Sequence, residues 1–245
     1  MNSTTNFPRA TFQRQVLDRL GQDICSGKYQ PGQILPSESE LCERFSFSRI
    51  VIREAIKSLA AKGMLEVRRK VGTLVLGPAQ WNLFDADIIA WRTLAAGDDR
   101  QMSQDLMELR RIVEPAAARF SAMRASDEEL RGIRAAFEQM ARAVAGEGDY
   151  VTADLAFHSA IFESCGNQFI LQMRNALAGV LRRGFEIVSQ KPGGPAGSLS
   201  MHQALCERVV ARDGEGAERA AFALIELATA DLQDCLASAD TPAAS

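Results

Sequence analysis

The chain has 245 residues, of which 47% are apolar and 24% are charged, with five cysteines and a net charge of −3. This composition is typical of a globular protein with room for two domains, and no apolar run approaches the length of about 20 residues that spans a membrane. The odd number of cysteines and the absence of a C-x-x-C pair argue against a disulfide framework and a thiolate zinc site, so we expect reduced thiols in a cytoplasmic protein.

The charge is unevenly distributed along the chain. Residues 1–77 hold 12 Lys and Arg against 7 Asp and Glu, a net charge of +5, and the remaining residues carry −8. A basic N-terminal part suits contact with phosphates, whereas an acidic body would repel nucleic acid. The pattern therefore indicates a small DNA-binding head attached to a body with a different task.

The first domain is predicted to span residues 1–78, with a disordered tail at 1–10. Apolar residues at helical spacing indicate three helices, and the second begins with a capping box of Ser37 and Glu40. Ser48 is the expected N-cap of the third helix. Two short alternating strands around a basic tip follow, and three helices with such a hairpin form a winged helix-turn-helix.

The third helix carries the residues expected to read duplex DNA. Arg49 and Arg53 lie one turn apart on one face, where a guanidinium can reach guanine O6 and N7 or a phosphate. The Ser48 hydroxyl and the helix N-terminus can bind phosphate, and the cationic wing can reach the backbone or the minor groove. The alternative for a charged helix face is a solvated surface. The predicted DNA-binding residues are Ser48, Arg49, Arg53, Arg68, Arg69, Lys70, Gly72 and Thr73.

Three motifs in this head resemble the winged-helix domain of GntR-type bacterial transcription regulators. They are G-K-Y-x-P-G-x-x-L-P-S-E-x-E-L-x-x-x-F at 27–45, S-R-x-x-x-R-E-A-I-x-x-L at 48–59 and G-M-L at 63–65. The resemblance implies that the two arginines of the third helix contact operator DNA. The chain departs from the family pattern at Ser39, where many members have a DNA-contacting arginine, and at Lys70, where the wing usually has a glycine.

The remainder of the chain, residues 79–238, is predicted to be helical, with Pro78 at the domain boundary and a disordered tail at 239–245. Apolar stripes recur at helical spacing and no strand pattern intervenes, so the fold class is mostly α, with an antiparallel all-helical bundle after the winged helix. Residues 191–200, rich in glycine and proline, are expected to form a loop, either a lid over a pocket or an ordinary connection. The predicted helices span 84–96, 102–124, 127–145, 149–165, 168–190, 201–212 and 214–236.

This body resembles the FCD ligand-binding domain of FadR-like regulators. The resemblance rests on E-L-R-R-I-V-E-P at 108–115, D-L-A-F-H at 154–158, Asn167 and His202. In that family the matching Asp and His residues bind a metal, which implies a divalent ion such as Zn²⁺ in this chain. The implied metal ligands are Asp154, His158 and His202.

Asp154 and His158 are themselves suited to such an ion, because their i, i+4 spacing places them on one helical face about 6 Å apart. A carboxylate and a neutral imidazole at that separation can share a divalent cation. The alternative is a hydrogen-bonded pair of packing residues. Many family members have a further histidine on the last long helix, and its position corresponds to Leu224, which cannot ligate a metal. We therefore expect a lower metal affinity than that of a four-ligand site.

The resemblance also implies an effector that carries a carboxylate. Arg110 matches the arginine that pairs with this carboxylate in the family, and its fork geometry suits the role; the alternative is a salt bridge. Arg183 is a second effector-binding candidate that could equally face solvent. The pattern Q-W-N-x-x-D-x-D-x-x-x-W at 80–91 is similar to the galactonate-responsive members of the family. That similarity implies an aldonic acid such as D-galactonate as the effector.

Together these features predict a ligand-responsive repressor. As a homodimer it would bind a palindromic double-stranded operator and release it when a sugar acid binds the body. The alternative is a metal-dependent lyase or hydrolase that acts on a sugar acid, in which two histidines and an aspartate activate a water. The sequence shows no general base paired with these residues and no glycine-rich phosphate loop, so the regulator is the favoured interpretation.

Overall fold

The structure is a computed structural model, and it describes residues 9–95, 100–174 and 194–239. The chain divides into two compact units, Met1–Gly97 and Asp98–Ser245. The two units have separate hydrophobic clusters, so each buries apolar surface of its own. Within the described ranges, every helix is too short or too polar to cross a membrane.

The first unit begins with three helices and an antiparallel hairpin, which confirms the predicted winged helix-turn-helix. The hairpin pairs Leu65 with Val75 at one end and Arg68 with Gly72 at the other, and an isolated bridge joins Ile34 to the second strand. The elements are α1 (Arg9–Cys25), α2 (Glu38–Phe45), α3 (Arg49–Ala61), β1 (Leu65–Arg68) and β2 (Gly72–Val75).

The second and third helices begin differently. Ser37 and Glu40 form the predicted capping box: Ser37 N donates to Glu40 Oε2 at 2.7 Å, and Glu40 N donates to Ser37 Oγ at 3.3 Å. Ser48 occupies the N-cap position of α3, but within the described residues its side chain caps no backbone N–H. α3 is held by packing instead, because Ile52 and Leu59 on its inner face are fully buried.

The first unit extends beyond the hairpin. Trp91 is buried against α1, where its Nε1 donates to Asp18 Oδ1 at 3.0 Å. A Cβ placed on Gly21 would lie 2.4 Å from the Trp91 ring, so the helices touch at this point. The sequence placed the domain boundary at Pro78, whereas residues 79–95 lie with the head because this tryptophan packs there. The added elements are a 3₁₀ turn (Pro78–Gln80) and α4 (Ala86–Ala95).

The described elements of the second unit are all helices, which confirms the predicted helical domain. α5 packs against α10 and α7, and α6 packs against α7 and α9. Ser126 and Glu129 form a second capping box at the start of α6. The elements are α5 (Arg100–Arg124), α6 (Asp127–Val144), α7 (Tyr150–Ser164), α8 (described over 168–174), α9 (Gly194–Val210) and α10 (Gly214–Ala239).

The predicted loop at 191–200 is wrong over most of its length. α9 begins at Gly194, so residues 194–200 are helical and the lid interpretation fails for them. Pro195 lies in the first turn, where its missing N–H has no intrahelical partner to lose. Glycine and proline favour a loop in the sequence, but here they begin a helix. Residues 191–193 and the predicted helix beyond residue 174 lie outside the described ranges.

Candidate nucleic-acid interface and metal centre

The outer face of α3 presents the two predicted recognition arginines. The inner face of the helix is buried, with Ile52 and Leu59 fully enclosed in the core of the head. The side chains of Arg49 and Arg53 are 62% and 55% exposed. Because the apolar face fixes the rotation of the helix, both guanidinium groups project to solvent one turn apart.

Both arginines are held from the start of α2. Arg53 Nε donates to Glu38 Oε1 at 3.2 Å, and its Nη2 donates to Glu38 Oε2 at 3.0 Å. Arg49 Nη2 donates to Ser39 Oγ at 2.7 Å. The hydrogen bond from Arg53 holds the pKa of Glu38 below its usual value, so this carboxylate is charged at neutral pH. Glu38 was not predicted, because no local spacing connects it with α3.

The wing tip is exposed and cationic. Arg68, Arg69 and Lys70 are all exposed, and Arg68 also pairs with Glu66 at 2.8 Å. Lys70 has φ +62°, a left-handed conformation that favours glycine. This positive φ explains why the family usually has a glycine at this position. The lysine adds a positive charge here, but its backbone is strained.

Gly72 and Thr73 complete the predicted wing residues. Gly72 has φ +127°, and a Cβ there would lie 2.8 Å from Ile34 Cγ2. Thr73 is half-buried and pairs with Val67 across the hairpin. Both residues shape the tip, and their contact with DNA stays a prediction.

The three predicted metal ligands come together inside the second unit. Asp154 and His158 lie on α7 and His202 lies on α9, and all three are at most 5% exposed. One potential ligand atom from each lies within 4.8 Å of the other two. The approach of His202 to the two α7 side chains was implied by family resemblance alone, because the two histidines are far apart in sequence.

The contacts of the two Nδ1 atoms determine which nitrogen carries the proton when each ring is neutral. His202 Nδ1 lies 2.9 Å from the carbonyl oxygen of Ser198, which can only accept, so Nδ1 carries the proton. His158 Nδ1 lies 3.0 Å from Glu114 Oε2. The opposite atoms, His202 Nε2 and His158 Nε2, lie 3.0 and 3.5 Å from Asp154 Oδ1. In the neutral rings both Nε2 lone pairs therefore face the carboxylate.

These residues fit a divalent cation. Asp154 Oδ1 and Oδ2 are buried, and the polar atom nearest to Oδ1 among the predicted ligands is His202 Nε2. Burial raises the pKa of Asp154, but the positive charge possible on His202 and His158 outweighs it, so its pKa lies below the usual value. A buried carboxylate needs a positive charge beside it, and protonated imidazoles or a divalent cation between the carboxylate and the two Nε2 atoms can supply that charge. Ligands around Zn²⁺ lie about 3.4 Å apart, so a modest closure of these side chains would bring the three ligand atoms to that spacing.

Arg110 lies in the same buried network, but through a residue that was not predicted. Its Nε donates to Glu114 Oε1 at 2.5 Å, and both side chains are at most 4% exposed. Burial raises the pKa of Glu114, yet Arg110 and His158 outweigh it and lower this pKa to about 2. Glu114 thus connects the predicted effector arginine to a predicted metal ligand. Its signal in the sequence was the i, i+4 spacing from Arg110 within the motif at 108–115.

Two further predicted positions are Arg183 and Leu224, and the structure describes only the second. Arg183 lies outside the described residues, so its role as an effector contact stays a prediction. Leu224, expected where many family members have a further histidine, is buried in the hydrophobic cluster of the second unit. An apolar side chain there gives the site at most three protein ligands from the predicted set.

Comparisons with known proteins agree with both halves of the chain. The family model for bacterial regulatory proteins of the gntR family matches residues 12–75, and the FCD domain model matches residues 105–227. The chain is 35% identical to the galactonate operon transcriptional repressor of Escherichia coli K12, over 90% of this chain and 96% of the relative. It is 29% identical to the putative L-lactate dehydrogenase operon regulatory protein of the same strain, over 85% and 81% of the two chains. A solved Streptococcus agalactiae GntR structure has a TM-score of 0.51 and 25% identity, over 89% of this chain and 99% of the other.

Proposed function

This chain belongs to the GntR family of bacterial transcription regulators and carries an FCD domain, and from that premise we propose that it is a repressor which releases operator DNA when a 2-hydroxy sugar acid binds its second domain. It is a DNA-binding regulator and not an enzyme, so the lyase or hydrolase that the sequence also allowed is set aside. The observation that carries the sensing half of the proposal is the buried Asp154 carboxylate facing two imidazole nitrogens.

The DNA-binding half rests on the exposed cationic surface of the head. Arg49 and Arg53 would enter the major groove with α3, and the wing residues would lie along the backbone or minor groove. We propose that the protein acts as a homodimer, because two recognition helices one helical turn of DNA apart read a palindrome. Sedimentation of the full chain, alone and on a selected duplex, tests this stoichiometry.

The sensing half rests on the charge of the buried network. A divalent ion held by Asp154, His158 and His202 would supply a positive charge able to bind a carboxylate and an adjacent hydroxyl. Arg110 would bind the carboxylate of the effector as well. The relatives are named for galactonate and L-lactate operons, and both of these anions are 2-hydroxy acids. An aldonic acid such as D-galactonate is therefore the proposed effector, with Zn²⁺ as the proposed ion.

The direct experiment measures operator release. A duplex selected from a random pool by the full chain is titrated with protein in the presence of D-galactonate, L-lactate or the uncharged sugar D-galactose. We expect D-galactonate to weaken DNA binding about 5- to 150-fold, the usual range of coupling between two sites. Galactose should change nothing, and a chelator should reduce the response to D-galactonate. Equal DNA affinity in all three additives would contradict the proposed effector class.

The role of Arg110 has its own test. The variant Arg110→Lys keeps a positive charge beside Glu114 but loses the forked donor pair that binds a carboxylate. We expect it to bind the selected duplex normally and to respond to D-galactonate only at much higher concentration. Arg111→Lys is the matched control, because Arg111 is half exposed and pairs with Glu226 on the outside of the domain. A normal response in Arg110→Lys would show that Arg110 does not bind the effector.

A further inference from the structure

We propose that Glu38 is a positioning residue for DNA recognition. It accepts hydrogen bonds from one edge of the Arg53 guanidinium, so that the end of the guanidinium is left to bind a guanine rather than a phosphate. This inference rests on the proposed contact between Arg53 and operator DNA. Glu38 lies outside the set of residues predicted from the sequence, and its contact would direct Arg53 to a base instead of the DNA backbone.

The geometry of the pair determines which edge of Arg53 is presented. Glu38 accepts from Nε at 3.2 Å and from Nη2 at 3.0 Å, so it occupies the side edge of the guanidinium. The end edge, formed by Nη1 and the second hydrogen of Nη2, is adjacent to the side edge and makes no hydrogen bond to the described residues. With Arg53 55% exposed on the outer face of α3, this end edge is the one available to DNA. Two parallel N–H groups at the end of an arginine match guanine O6 and N7.

The charge of the pair favours a neutral partner. A carboxylate beside the guanidinium cancels most of its attraction for a phosphate, and it repels phosphates that come close. Guanine is uncharged and presents two acceptors, so it loses little from the neighbouring carboxylate. The arrangement therefore weakens binding to any DNA sequence and leaves the directional hydrogen bonds to a guanine intact.

Ser39 holds the second arginine in the same manner. Its hydroxyl accepts from Arg49 Nη2 at 2.7 Å, which fixes the guanidinium of Arg49 from the same helix start. An arginine at this position, as in the family pattern, would place a like charge beside Arg49 and compete for Glu38. The two consecutive residues of α2 thus set the orientation of both recognition arginines in this chain.

The test compares specific with non-specific affinity in the full chain. Dissociation constants are measured at several salt concentrations for the selected duplex and for a scrambled duplex, with wild type, Glu38→Gln and Glu43→Gln. Glu43 is the matched control, because it is an exposed carboxylate on the same helix and its substitution removes the same charge. Thermal unfolding of each variant reports whether the head is intact.

The expected result is a change in the ratio of the two affinities. Glu38→Gln should bind the scrambled duplex several-fold more tightly and lower the specific to non-specific ratio about tenfold, in the range of one bidentate base contact. Glu43→Gln should leave the ratio unchanged. An unchanged ratio in Glu38→Gln, or an equal change in both variants, overturns the inference.

An atomic substitution in the DNA identifies the contact. Each guanine of the selected half-site is replaced in turn by 7-deazaguanine, which lacks the N7 acceptor. One position should weaken wild-type binding about tenfold while leaving Arg53→Ala unaffected. If no position behaves in this way, Arg53 does not read a guanine. If Arg53→Ala itself binds the selected duplex as wild type does, the proposed DNA contact fails as well, so the two failures are distinguishable.

Discussion

Two arginine–carboxylate pairs lie at proposed functional positions of this chain, and they differ greatly in their exposure to water. Arg53 and Glu38 pair on the surface of the head, with 55% and 33% of their side chains exposed. Arg110 and Glu114 pair inside the second unit, with 3% and 4% exposed. In water a charge pair is easily exchanged for another partner, whereas inside a protein the loss of one partner leaves the other charge without solvation. The surface pair is therefore suited to exchange with DNA, and the buried pair is suited to hold a site together.

Removing the carboxylate from each pair tests this contrast most strongly. Glu114→Ala should destabilise the second unit by about 3–5 kcal/mol, because it leaves Arg110 buried without its anion and His158 without its acceptor. Glu38→Ala should leave the unfolding of the head unchanged within error, since water replaces the lost partner. Urea unfolding monitored by circular dichroism measures both. Similar losses in the two variants would show that burial does not separate the pairs.

A metal ion should stabilise one unit and not the other. With Zn²⁺ at about one hundred times its dissociation constant, the second unit should gain about 2.7 kcal/mol, because only the folded site binds the ion. The head contains no predicted ligand and should not respond. Differential scanning calorimetry with added Zn²⁺, followed by a chelator, measures the two transitions.

The same titration with variants assigns the ion to the predicted ligands. Asp154→Asn and His202→Ala should lose the gain, whereas the exposed Glu138→Gln should keep it. Metal content of the purified proteins provides an independent measurement. A gain that survives in both ligand variants would place the ion elsewhere in the chain.

Two glycine substitutions should have opposite effects in the two units. In Gly21→Ala the new methyl would lie 2.4 Å from the Trp91 ring, so α1 and α4 must separate, at a cost of about 1–3 kcal/mol. Gly132→Ala, inside α6 with nothing within 4 Å of the new methyl, should stabilise the second unit by about 0.5–1 kcal/mol. Tryptophan fluorescence follows the head and circular dichroism follows the bundle. A neutral Gly21→Ala would show that α4 does not pack on α1.

The sequence allowed the local parts of this structure to be predicted. The capping box of Ser37 and Glu40 located one helix start, because a cap depends on residues three positions apart. The same reasoning failed at Gly194, where glycine and proline favour a loop and begin a helix instead. It also placed the domain boundary before Trp91, because the contact of that ring with α1 depends on the folded head.

The candidate functional residues divide in the same way. Asp154 and His158 were predicted from spacing on one helix, while their meeting with His202 required α7 and α9 to pack against the same two helices, α5 and α6. Glu114 had a local signal, its spacing from Arg110. Glu38 had none, because its contact with Arg53 joins two helices across a turn. Contacts within one helix could therefore be predicted from the sequence, whereas contacts between helices became visible only in the fold.

The smallest expected effect concerns the wing, where Lys70 adds a positive charge but has a backbone conformation that is unfavourable for a side chain. Lys70 adopts φ +62°, which costs a side chain about 1 kcal/mol relative to glycine. Lys70→Gly should therefore stabilise the head by at most about 1 kcal/mol, and it should reduce the slope of log affinity against log salt by about one unit if the lysine contacts a phosphate. Lys70→Gln is the matched variant, because it removes the charge and retains the strained backbone. Equal stability of the two variants would mean that the left-handed conformation costs nothing here, and an unchanged salt slope in both would remove Lys70 from the DNA interface.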